Sequence, residues 1–148
     1  MKPALSVVFF TVSSGAGLGL LIWATLARLL QGPLPGFEVA VAMAAVLFTT
    51  GLLSSGLHLA NPRNGWRAFT RFRHSWLSRE GVFAVAVYPV AGLFLWADAH
   101  GLGGLALVSG VLLVSLGLMV LVCTGMIYAC LKTVPHWRNW QTMVAYPL

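Results

Sequence analysis

His58 and Glu80 are the two side chains in this sequence whose types and placement could do proton chemistry together. They stand at the ends of two strongly apolar segments, joined by an arginine-rich connection. Ionisable groups at membrane depth are costly to keep there and mark a functional site by default. Oxidising a quinol releases protons along with electrons, so its site needs a group that accepts a proton near neutral pH and another that tolerates developing negative charge. His58, as an imidazole with an unperturbed pKa of about 6.5, suits the first task. Glu80 could orient it or relay the proton outward, and Arg63 or Arg79 could hold the anion as charge develops. Ser54, one helical turn before His58, is a further candidate contact for the bound molecule. The same residues also allow a reading without chemistry, in which His58 caps its helix and Glu80 pairs with Arg79 or Arg73 at the surface. Residue types alone weigh the two readings evenly.

The elements that must carry these groups are membrane helices. Of 148 residues, 59% are hydrophobic and 8% charged, and the mean hydropathy is +0.87; a soluble domain has about a quarter of its residues charged. A transmembrane helix needs about 20 mainly apolar residues, and four stretches meet or approach this, at about 4–30, 39–60, 81–98 and 105–131. The expected fold is an all-α integral membrane protein with four transmembrane helices in an up-down bundle, one transmembrane domain over 1–148 with no room for a soluble catalytic domain. The first apolar run is far longer than a signal core of about 7–15 residues, which predicts a retained helix. Pro89 near the middle of the third segment removes a backbone donor and predicts a kink, with the carbonyl of Val85 set free.

Polar and small residues show which faces point inward. Gly51, Ser54, Ser55 and His58 share one face of the second helix, and Ser13, Ser14, Gly15, Gly17 and Gly19 crowd the first. Small residues allow close helix approach. The GxGxG run at Gly15–Gly19 has no preceding strand, so a dinucleotide fingerprint does not apply. Cys123 and Cys130 share one helix, cannot bridge each other, and read as buried packing residues.

The net charge is +6. Lys2, Arg63, Arg67, Arg71, Arg73, Arg79, Lys132 and Arg138 fall on one side if the segments alternate, with Arg28 near the other. The positive-inside rule then places the N-terminus and the basic connection in the cytoplasm, across a bacterial inner membrane. Within 61–80, Trp66, Phe69, Phe72 and Trp76 alternate with Arg63, Arg67 and Arg71 at helical spacing. This amphipathic loop suits lipid headgroups or a docked protein, and its confinement between membrane helices argues against nucleic acid. Residues 141–148 turn apolar again and predict the start of a fifth helix, as in the front half of a longer anchor.

Three blocks carry a family resemblance: Gly56-Leu57-His58-Leu59-Ala60-Asn61-Pro62-Arg63 with Arg67-Ala68-Phe69, then Trp76-Leu77-Ser78-Arg79-Glu80, then Met126-Ile127-Tyr128-Ala129-Cys130-Leu131-Lys132-Thr133-Val134-Pro135. Together they resemble the membrane anchor subunit of dimethyl sulfoxide reductase-type molybdoenzymes, and the opening Lys2–Thr11 leans toward the branch that anchors sulfite dehydrogenases. The resemblance implies an eight-helix anchor, of which this sequence supplies four helices. It implies a subunit without haem or other redox cofactor of its own that exchanges electrons between a membrane quinone, menaquinone or ubiquinone, and the iron–sulfur subunit of a molybdopterin enzyme. The family's quinol-site histidine falls on His58 and its essential glutamate on Glu80. The sequence departs from the family in length and at Asn64-Gly65-Trp66, which looks like an insertion. Two other functions are open to a chain of this kind, a small multi-helix transporter and a structural assembly subunit. All three acidic residues lie near helix ends, which disfavours the first.

Overall fold

A computed structural model describes residues 5–56, 72–73 and 75–130. Among these residues there are four α-helices and no strand: α1 (Leu5–Gln31), α2 (Phe37–Gly56), α3 (Trp76–Ala99) and α4 (Gly103–Ala129). Their apolar spans of 24, 19, 24 and 27 residues, at about 1.5 Å per residue, cover or nearly cover a hydrocarbon layer of about 30 Å. This is a multi-pass membrane protein. Large apolar side chains face outward along every helix, among them Val12, Trp23, Val46, Leu53, Val85, Trp96, Val108 and Val111. Lipid is the solvent that such surfaces suit.

The helices form two hairpins, α1 with α2 and α3 with α4. In the first, the amide of Gly32 donates to the carbonyl of Arg28 at 3.1 Å and ends α1, after which Pro33 and Pro35 prevent its continuation. The Arg28 guanidinium lies 5.9 Å from the centre of the Phe37 ring, tying the end of α1 to the start of α2. Buried residues recur on α1 at Ser14, Leu18, Leu21 and Thr25, and on α2 at Phe37, Val41, Ala44, Phe48 and Gly51. Alternating steps of three and four are the seam of a left-handed helix pair. Along it the backbones nearly touch. A Cβ on Gly17 would sit 2.8 Å from the carbonyl oxygen of Ala44, and one on Gly51 would sit 2.6 Å from the amide nitrogen of Ser14. The expected small-residue faces are the packing faces of this hairpin.

The second hairpin turns at His100–Leu102. The amide of Leu102 donates to the carbonyl of Ala97 at 2.9 Å and that of Gly101 to Asp98 at 3.1 Å, the paired bonds of a Schellman motif. Gly101 takes φ +67° to make it, a conformation costly for any residue with a Cβ. Buried residues follow the same rhythm as in the first hairpin, at Glu80, Ala84, Val87 and Phe94 on α3 and at Ala106, Gly110, Leu113, Gly117, Val120 and Thr124 on α4.

Two features differ from the sequence expectation. The third helix begins at Trp76 rather than near Gly81, because Ser75 caps it: its backbone is extended and its side-chain oxygen accepts from the amide of Ser78 at 3.4 Å. Glu80 therefore belongs to a helix and not to the preceding loop. Helix α3 also runs unbroken through Pro89, with Val85 on its exposed face. Cys123 is buried as expected, whereas Cys130, the residue that follows α4, is exposed.

Candidate functional site

Glu80 lies four residues inside α3 and Thr124 five residues before the end of α4. In an antiparallel hairpin both are then about 6–8 Å in from the same end. They occupy facing positions at the end of the buried seam, and each is nearly sealed, at 5% and 4% exposure. The Thr124 hydroxyl hydrogen-bonds to Oε1 of Glu80 across the hairpin and also lies 3.0 Å from the carbonyl oxygen of Val120. Among the described residues the carboxyl makes no ion pair with Arg79 or Arg73. The surface-pairing alternative for Glu80 does not describe this geometry: the group is inside the helix pair and held by a hydroxyl.

Arg79, the next residue back, is turned elsewhere. Its Nε donates to the carbonyl of Phe72 at 3.0 Å and its Nη2 to the carbonyl of Arg73 at 3.0 Å, while the guanidinium carbon lies 4.3 Å from the centre of the Trp76 ring. Phe72 in turn meets Phe83 edge-on, with ring centroids 5.7 Å apart. These contacts fold the chain just before α3 back onto its first two turns. A guanidinium has five N–H donors in a planar fork, so two carbonyl bonds fix the charge beside the Glu80 turn without exhausting it.

Ser54 is buried near the end of α2. His58 and Arg63, together with Arg67, Arg71, His74, Lys132 and Arg138, lie outside the described residues, as do the expected loop over 61–71 and the apolar stretch 141–148. The structure thus brings Glu80 together with Thr124, a residue that the sequence reading assigned only to helix packing. A signal for it exists, since Glu80 and Thr124 are equally far in sequence from Leu102, the residue that closes the hairpin turn.

The chemistry of this donor set suits a hydroquinone headgroup: a buried carboxyl able to take or give a proton, a hydroxyl that can follow it, an immobilised guanidinium nearby and apolar walls around them. A metal ion would need more. Among the described residues no three histidine, cysteine or acidic side chains gather.

Comparison with known proteins is consistent with this geometry. The family model described as the DMSO reductase anchor subunit (DmsC) matches residues 1–148. The chain is also similar to a subunit of the sulfite dehydrogenase of Allochromatium vinosum, with 36% identity over 158 aligned residues, which cover 94% of this chain and 49% of the relative. It therefore spans about half the length of the curated relative it matches. No solved structure matches it.

Proposed function

Because the chain belongs to the DMSO reductase anchor subunit family, we propose that it binds a membrane quinone and passes electrons between the quinone pool and the iron–sulfur subunit of a molybdopterin oxidoreductase. The buried carboxyl of Glu80, held across the α3–α4 hairpin near one membrane face, is the observation that carries this reading. Membrane helices keep such groups almost only where protons or ions are handled.

In the quinol-oxidising direction the site must take up two protons while two electrons leave for the partner; in the reducing direction it supplies them. His58 and Glu80 are the acceptors and donors of those protons. Arg63 and the clamped Arg79 supply fixed positive charge where the quinol oxygen turns anionic, which lowers the barrier without a reorganisation cost. Ser54 contributes a hydroxyl contact to the headgroup. The exposed Arg73, with Arg67 and Arg71 of the connection, forms the basic surface on which the soluble subunits dock. The lysine and arginine asymmetry supports placing this face and the N-terminus in the cytoplasm of a bacterial cell.

A fluorescent quinol analogue titrated into membranes that carry the assembled complex tests the reading. Saturable binding of one analogue per anchor, displaced by native quinone, is the expected result. A signal that rises only in proportion to lipid would leave the chain as a structural assembly subunit.

A further inference from the structure

We propose that Thr124 is a positioning residue for the Glu80 carboxyl, keeping it in one orientation whether or not it carries a proton. The inference rests on the quinone reading above and adds to it the group that keeps the proton acceptor aimed.

Serine and threonine hydroxyls elsewhere in these helices bond to their own helix. Ser109 donates to the carbonyl of Leu105 at 2.6 Å, Ser115 to Val111 at 2.8 Å and Thr50 to Val46 at 2.8 Å. This is the ordinary way a hydroxyl is satisfied in an apolar span. Thr124 keeps that option, with the Val120 carbonyl at 3.0 Å, but its hydroxyl also reaches across to Oε1 of Glu80. A hydroxyl has one proton to donate and lone pairs to accept with. When Glu80 is ionised, the Thr124 hydroxyl donates to the carboxylate. When Glu80 holds a proton, its own O–H donates to Oγ1 of Thr124, and the threonine proton rotates onto the Val120 carbonyl. Both states satisfy every polar hydrogen at this point by rotation about one C–O bond, with no heavy atom displaced. Thr124 itself neither gains nor loses a proton over the cycle.

The consequence is mechanical. A carboxyl at the mouth of a helix pair would ordinarily change rotamer as its charge changes, because its best partner changes. Here one oxygen stays tethered throughout, and the proton exchanged with the substrate is met by a group already in place. The other titratable groups close to the carboxyl are Cys123 beside Thr124 on α4 and Arg79 on α3.

The test compares Thr124→Val, which keeps the shape and loses the hydroxyl, with Thr124→Ser, which keeps the hydroxyl, in membranes carrying the assembled complex. The readouts are quinone-linked turnover relative to dye-linked turnover of the soluble subunits, and its pH profile. The valine variant is expected to lower that ratio about tenfold, the scale of one buried hydrogen bond, and to displace the pH profile. Serine is expected to restore both. Thr124→Ala gives the same reading if the valine chain assembles poorly. Independently of turnover, the infrared carbonyl band that disappears in Glu80→Gln is expected to shift in Thr124→Val or Thr124→Ala. Parental turnover, pH profile and band position in the hydroxyl-less variants would overturn the proposal. Loss of quinone turnover in Glu80→Gln together with parental behaviour of Thr124→Val overturns the positioning role alone, whereas full quinone turnover in Glu80→Gln overturns the reading beneath it.

Discussion

At the scale of single residues, the molecule separates two neighbours that look alike in sequence. Arg79 and Glu80 are adjacent charged residues at the start of an apolar run, and a pair of that kind reads most simply as a surface ion pair. Helical geometry sends their side chains about 100° apart around the axis, so Glu80 enters the seam while Arg79 folds back over Trp76 toward the carbonyls of Phe72 and Arg73. The positive charge is thereby fixed rather than waving at the interface. Arg79→Gln removes both the charge and the clamp and is expected to lower quinone-linked turnover at least about tenfold. Arg79→Lys keeps the charge, cannot span two carbonyls, and is expected to lose less. Steady-state turnover of the two variants decides the matter: equal losses would make Arg79 only a clamp at the entrance of α3.

At the scale of elements, the same seam runs along both hairpins, and glycine marks its narrowest points. The residues Gly15, Gly17 and Gly19 are interchangeable to the eye, yet a Cβ on Gly17 would strike the backbone of α2 while Gly15 and Gly19 have open space around them. Gly17→Ala is expected to cost about 1–3 kcal/mol of hairpin stability, because one backbone must move away from the other. Gly15→Ala and Gly19→Ala are expected to stay within about 0.5 kcal/mol of the parent. Thermal unfolding in mild detergent ranks the three; a Gly17→Ala chain as stable as the other two would mean the helices do not meet there. Helix number, the two turns and the small-residue faces were legible in the sequence, since bilayer thickness sets span length and glycine and proline set the turns. The start of α3 was not. Ser78, Arg79 and Glu80 interrupt the apolar run, and a reading based on hydrophobicity stops there, whereas the Ser75 cap and the Arg79 clamp let the helix begin a turn earlier. The Glu80–Thr124 contact was hidden for a related reason. Lipid-facing and seam-facing positions are both apolar in a membrane helix, so composition around the helix says little about which face is inside; the three-and-four spacing of small residues says more.

At the scale of the whole molecule, family membership meets one buried carboxyl near the end of a membrane hairpin. The family match covers the whole chain, and half of the relative's length lies beyond the aligned part, so the quinone assignment concerns the assembled anchor complex. Its sharpest test is turnover of that complex in inside-out membrane vesicles, for the parent, His58→Ala and Glu80→Gln. Electrons are exchanged with a quinone analogue in one assay, and in the other with a membrane-impermeant dye that reacts with the soluble subunits. Dye-linked turnover is expected at the parental level in all three, accessible in inside-out but not in sealed right-side-out vesicles. Quinone-linked turnover is expected to fall about 10²–10⁴-fold in both variants, the usual cost of removing a positioned proton acceptor. Quinone-linked turnover undiminished in both variants would overturn the quinone assignment and leave His58 and Glu80 as structural residues of the membrane helices.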